Sequence, residues 1–160
     1  MNNKTMLFGV ATLLILATLP QLTAATIDLP LYGFQIDPLD APAGPAPTTA
    51  LMLFLPATEE FAPNINVQVQ PYTETIKDYV ALSKQQFEQL KWKIVSDKLI
   101  GDNEWSVEYT GQEEGSDLHF YARAVSKSGK VYLATGTAKE SQWATVGETL
   151  RQHVDSLKVD

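Results

Sequence analysis

Two histidines and no cysteine limit the chemistry this 160-residue chain can perform near neutral pH. His119 sits in a stretch where residue types alternate: Leu118, Phe120, Ala122 and Ala124 against His119, Tyr121 and Arg123. An upstream stretch alternates in the same way, with Trp105, Val107 and Tyr109 against Glu104, Ser106 and Glu108. Successive side chains of a strand point to opposite faces, so each stretch carries one apolar and one polar row. If Tyr109 stands opposite Leu118, then Glu108 faces His119, Glu104 faces Arg123 and Tyr121 stands opposite Ser106. The polar face then gathers His119, Glu108, Tyr121 and Arg123 as a candidate ligand-binding patch. A histidine beside a carboxylate can shuttle protons or hold zinc, and Arg and Tyr can donate hydrogen bonds to an anion or a polar ligand. The plain alternative is cross-strand charge pairing. A stable zinc site takes three or four protein ligands, so the patch alone leaves metal binding open. His153 lies by the stripe of Leu150 and Leu157 and could join His119 only if its helix covers that face.

Other chemistry finds little support. Without cysteine there is no thiol nucleophile, no Cys-ligated zinc and no disulfide. No serine lies in a G-x-S-x-G turn, and neither glycine-rich phosphate signature is present. The neighbouring carboxylates Glu59-Glu60 and Glu113-Glu114 lie in polar loops and read as solvated charge. Trp92, Trp105 and Trp143 could stack a ligand, but their strand and helix spacing favours core packing. The apolar tip Leu55–Pro63, with Phe61, could dock a partner or fold onto the core. The expectation is a protein with no catalytic residue and no cofactor. The alternative is a hydrolase-like enzyme with an unfamiliar site around His119.

The elements that must carry these residues read as α+β. Leu31–Ile36 reads as a short edge strand, and the proline-punctuated stretch Asp37–Thr48 as an extended loop. A flexible N-terminal segment is the competing reading. The unbroken apolar run Ala50–Leu55 fits a strand buried on both faces or lying under a loop. After a loop at Ala57–Pro63, Asn64–Gln70 alternates cleanly, and the two runs form a hairpin. Thr73–Lys91 carries Ile76, Tyr79, Val80, Phe87 and Leu90 at helical spacing, with Thr75 and Asp78 as a capping signal. Lys93–Leu99, the Trp105 stretch, the His119 stretch and Val131–Thr135 make an antiparallel meander. A polar loop at Gly111–Ser116 and turns near Gly101 and Gly129 join its strands. Ser141–Leu157 closes the chain as a helix with Trp143, Val146, Leu150, Val154 and Leu157 on one face.

Several phrases within residues 50–159 resemble the Mog1/PsbP-like superfamily, which includes small exported bacterial proteins. They are Phe61-Ala62-Pro63-Asn64-Ile65-Asn66-Val67 ahead of a helix holding Tyr79; Trp105 to Gly111 leading into Leu118-His119-Phe120-Tyr121-Ala122-Arg123; and Lys130-Val131-Tyr132-Leu133-Ala134-Thr135 before the last helix. The resemblance implies an antiparallel sheet of about six strands with helices on both sides. It also implies a binding or accessory role more than catalysis. It assigns no functional residue.

The first residues read as a secretory leader. Lys4 is the only charge before Asp28, Met6–Leu19 is almost wholly apolar, and small residues surround Ala24 and Ala25. The apolar run is short for a bilayer span, which takes about 20 residues. Cleavage after Ala24 or Ala25 would leave a single domain, residues 50–160, behind a Pro-rich segment, 26–49. Its net charge would move from −7 to −8, because Lys4 is the only charge lost. An acidic chain without a Lys/Arg cluster disfavours nucleic acid and anionic membrane surfaces. The expectation is a periplasmic or secreted monomer, with no stable membrane insertion after cleavage. Its partner would be a protein or small ligand of the cell envelope.

Overall fold

The computed structural model describes residues 26–30, 33–36 and 47–160. The expected leader, Leu31 and Tyr32 of the expected edge strand, and residues 37–46 of the expected loop lie outside the described residues. The chain divides after Pro42 into two units. In the first, β1 (Ile27–Leu29) pairs antiparallel with β2 (Phe34–Ile36), so the described part of the expected edge strand is one arm of a small hairpin.

The described residues of the second unit form six strands and two helices. They are β3 (Thr48–Phe54), β4 (Asn64–Pro71), α1 (Ile76–Gln89), β5 (Lys93–Ile100), β6 (Glu104–Glu113), β7 (Ser116–Lys127), β8 (Lys130–Lys139) and α2 (Glu140–Asp155). The strands form one antiparallel sheet in the order β3-β4-β8-β7-β6-β5. Period-2 alternation gives the sheet two apolar faces, and one helix covers each. On one face Ile76, Tyr79 and Val80 of α1 pack with Trp105, Val107, Tyr109, Leu118 and Phe120. On the other, Trp143, Leu150 and Val154 of α2 pack on Ile65, Ala134 and Ala138. The fold is the α+β arrangement that the resemblance implied.

Helix α1 starts where the capping signal placed it. The Thr75 side chain accepts from the Asp78 backbone N–H, and the Asp78 carboxylate accepts from the Thr75 N–H. Leu90, expected on the buried stripe, is instead the C-cap and is exposed, because the helix ends one residue before it.

Two strand expectations are corrected. The apolar run at Ala50–Leu55 is not buried on both faces; β3 is a sheet edge, and all its residues but Leu53 are exposed. Its neighbour β4 already pairs with β8 on the far side, which leaves β3 outermost. The expected loop at Gly111–Ser116 is mostly strand. Strands β6 and β7 run through it and leave a tight turn at Glu114 and Gly115, both at positive φ (51° and 81°). Such a two-residue turn matches the twist of the strands it joins. Shortening the loop moves the register, so Tyr109 stands opposite Phe120 rather than Leu118. The move is two residues, so every side chain keeps its face, where a one-residue slip would have inverted them all. Trp105, Val107, Leu118 and Phe120 are accordingly buried together.

Candidate functional site

With this register, Glu108 stands directly opposite Tyr121, Ser106 opposite Arg123, and Thr110 opposite His119. The contacts anticipated as direct pairs form along diagonals instead. His119 Nε2 lies 2.8 Å from Glu108 Oε1, and Arg123 reaches Glu104 Oε2 through Nη2 at 2.7 Å and Nε at 3.2 Å. Long side chains readily span diagonal neighbours on one sheet face.

The four candidates do not form one open patch. Helix α2 lies over them and divides them into two clusters. Under the body of the helix, His119 is buried with its ring stacked on Trp143, centroids 4.0 Å apart and planes within 9°. Its Nδ1 lies 2.8 Å from Glu140 Oε2, so each ring nitrogen faces a carboxylate. Only a doubly protonated ring can donate to both. Glu108 Oε1 also accepts from Trp143 Nε1 at 3.2 Å and from Arg151 Nη2. The Arg151 guanidinium sits 5.1 Å from the Trp143 ring centroid, within cation–π range. Burial pushes the Glu108 carboxyl up. The hydrogen bonds and charges of Arg151 and His119 outweigh that, and its pKa falls below the usual range.

The second cluster holds the end of α2. Arg123 Nη1 donates to the carbonyls of Asp155 (2.8 Å), the last helical residue, and of Leu157 (2.9 Å), just beyond the C-cap. Tyr121 Oη donates to Asp155 Oδ1 at 2.9 Å. Burial first, and then the Asp155 contact, raise the Tyr121 pKa.

The sequence names His119, Glu108, Tyr121 and Arg123 as candidates, and it does not show their contacts with Glu140, Trp143, Arg151 and Asp155. The available signal was the four-residue spacing of Trp143, Gly147 and Arg151, which puts all three on one helix face. His153 does not join His119; it is exposed, and its Nδ1 lies 2.8 Å from the Thr149 carbonyl. Among the described residues no group of three His, Asp or Glu side chains is placed to hold a metal ion. Both His119 nitrogens already face carboxylates, so binding a metal would break one of those contacts.

The tryptophans split between the faces. Trp105 and Trp92 belong to the α1 side, where Phe87, Trp92, Tyr109 and Phe120 stack with centroids 4.4 to 5.8 Å apart. Trp143 belongs to the α2 side. The tip with Phe61 folds onto the molecule. Gln142 Nε2 donates to the Thr58 carbonyl at 2.7 Å and the Phe61 carbonyl at 3.1 Å, and Ser141 Oγ donates to Glu59 Oε2 at 2.6 Å.

One concavity borders the His119 cluster, and another lies on the α1 face of the sheet. A cleft of about 470 Å³ opens beside Glu140, lined also by Lys91, Lys93, Thr110 and Asp117. A second, of about 330 Å³, lies between α1 and the sheet. No helix of the described residues is long and apolar enough to cross a membrane.

No family model matches the chain, and no curated protein matches it. Solved structures do. The Pseudomonas aeruginosa protein of unknown function PA94 is 17% identical with a TM-score of 0.64, over 85% of this chain and 96% of that one. Cyanobacterial PsbP from Synechocystis is 15% identical with a TM-score of 0.47, over 61% and 68%. LpqN, involved in cell envelope biogenesis of Mycobacterium tuberculosis, is 12% identical with a TM-score of 0.44, over 74% and 84%. The fold, with its six-stranded antiparallel sheet between two helices, is shared with PA94 over nearly the whole of that protein. At such identities likeness carries fold and leaves function to the site.

Proposed function

We propose that this protein is an exported accessory or binding protein that runs no reaction of its own. The observation that supports this best is the closure of the His119 cluster. Both imidazole nitrogens face carboxylates, one Glu108 oxygen accepts from three donors, and Arg123 and Tyr121 grip the end of α2. A general base must reach a substrate proton, and neither nitrogen of the buried His119 ring can do so without breaking a contact to Glu108 or Glu140. The leader-like first 25 residues support work in the cell envelope, on a small ligand or a protein, and the acidic charge argues against nucleic acid.

One observation favours the hydrolase-like alternative around His119. The half-exposed Glu140 stands on the rim of the 470 Å³ cleft and connects through His119 to the buried Glu108. A carboxylate–imidazole–carboxylate chain ending at a cleft could move a proton.

Expression of the full chain with its own first residues tests export, by the mass of the product recovered outside the cytoplasm. Loss of residues 1–24 or 1–25 is expected; an intact chain held in the membrane fraction would overturn it. Incubation with a panel of esters, amides and glycosides tests the chemistry. The binding reading expects no turnover, and a hydrolytic rate that disappears in His119→Gln would replace it with the alternative.

A further inference from the structure

We propose that the cleft between α1 and the sheet binds a neutral, flat aromatic molecule of one or two fused rings carrying a hydroxyl or carbonyl group. The inference rests on the binding reading and gives it a ligand class. Its floor is the buried core of the sheet: Trp105, Val107 and Ala122, with half-buried Leu133 beside them. Tyr79, Ser83 and Phe87 of α1 form one wall, and Gln70 and Tyr72 the other. At about 330 Å³ the space stands at the lower end of small-molecule sites, which run from roughly 300 to 1,000 Å³.

Charge narrows the class. In a chain of net charge −7, none of the residues lining this cleft is charged. The Tyr79 hydroxyl, pushed up to about 12 chiefly by burial, stays neutral at any physiological pH. Lys84, the cation of α1 closest in sequence to this wall, is held 2.8 Å from Asp97. A charged ligand would lose its hydration here without a partner, so the cleft selects against ions of either sign.

Shape narrows it further. Ring planes already stack on this face: Phe87 lies 4.4 Å from Tyr109 and 6.4 Å from Trp105, each pair within 28° of parallel. A further flat ring can continue such a stack, where a branched chain cannot. Polar groups sit on the walls. Gln70 Oε1 accepts from Tyr79 Oη at 3.0 Å, and Gln86 stands exposed at the rim. They offer amides and hydroxyls to a neutral donor or acceptor. The 470 Å³ cleft, with its lysines and carboxylates, has none of this character.

The experiment titrates the purified mature chain with 2-naphthol, followed by tryptophan fluorescence and by amide shifts. Naphthalene-2-sulfonate, the same ring with a charge, is the control. Saturable one-to-one binding is expected, with the sulfonate weaker by about tenfold or more. The largest shifts should fall at Tyr79, Trp105, Val107 and Leu133. Leu133→Phe and Ser83→Leu, which fill the space from the sheet and from the helix, should each weaken binding about tenfold. Should either variant fail to fold, the shift map of the unaltered protein decides. No saturable change up to about 1 mM, equal binding of the sulfonate, or shifts confined to Leu51, Val67 and Leu157, which line a separate apolar groove of about 220 Å³ by the end of α2, would each overturn the proposal. Turnover of 2-naphthyl acetate would instead count against the non-catalytic reading and leave the cleft's selectivity standing.

Discussion

The Glu108 carboxylate is the residue on which the α2 side depends most. It is nearly buried, and it answers the imidazole of His119, the indole of Trp143 and the guanidinium of Arg151 at once. Truncation to alanine would leave three donors unanswered and a cation partly buried. Breaking such a pair from one side typically costs about 3 kcal/mol or more. We therefore expect Glu108→Ala to lower unfolding free energy by about that much in urea titration. Glu104→Gln should lose under about 1 kcal/mol, since the partly exposed Glu104–Arg123 pair can exchange its contacts for water. The same carboxylate governs acid stability. Its folded pKa lies below its unfolded value, so its contribution is complete above about pH 4.3 and is lost as pH falls through the folded value. Asp97 is also lowered, first by its bond to Lys84, and adds to the same acid limb. Glu108→Gln should flatten stability below about pH 4.3, leaving the Asp97 slope; an unchanged acid limb would refute the assignment. That His119 and Glu108 share a sheet face was legible from alternation; their contact runs along a diagonal, because the register stands two residues from the expected one. Glu140, Trp143 and Arg151 were not, because their contacts bridge from 21 to 43 residues and depend on which face α2 covers.

Elements were legible where their signals are local and less so where they depend on neighbours. The Thr75–Asp78 capping box is local, and it forms as written in the sequence. Thr75→Ala should cost about 1 kcal/mol, read as a fall in the urea midpoint at constant slope. Strand β3 is the opposite case. Six apolar residues in a row say only that the segment resembles a strand; its place at the edge follows from the β4–β8 pairing. The β6–β7 register is hard to read from sequence for a related reason. Six polar residues look like a loop, yet a turn needs only Glu114 and Gly115, and strand pairing continues up to them. Helix α2 contains one residue whose type is dictated by packing. A Cβ at Gly147 would stand 2.9 Å from Cε2 of Trp143. That ring is fixed by the His119 stack and the Glu108 hydrogen bond, so it has little freedom to yield. Alanine normally gains up to about 1 kcal/mol over glycine inside a helix. Here Gly147→Ala should lose stability instead. A gain in the urea midpoint would mean that the Trp143 clamp is looser than its contacts indicate.

At the scale of the whole molecule, one sheet is held from two sides by different physics. Helix α2 is fastened by a buried polar cluster, whereas α1 lies on an almost purely apolar and aromatic surface. No disulfide supports either side, so both must hold through packing and hydrogen bonds. Fold class was readable because both apolar faces follow from period-2 alternation; the division of labour was not, since it appears only when each helix has its face. That division predicts opposite pH sensitivities. Acid acts through Glu108 on the α2 side. Alkali acts on the α1 side, where burial pushes Tyr79 up to about 12 and raises Tyr109 further. A tyrosine with a raised folded pKa binds its proton more tightly when folded. Its contribution is therefore complete below the unfolded value of about 10 and is lost as pH rises toward the folded one. Stability should decline between pH about 10 and about 12, with tyrosinate absorbance rising as the chain unfolds. Tyr79→Phe separates this from general charge repulsion. It gives up the hydrogen bond to Gln70, worth about 1 kcal/mol, and should be weaker at pH 7. It should also lose stability less steeply above pH 10, so the two curves converge. Parallel curves for the two proteins across that range would show that alkali does not act through the α1 face.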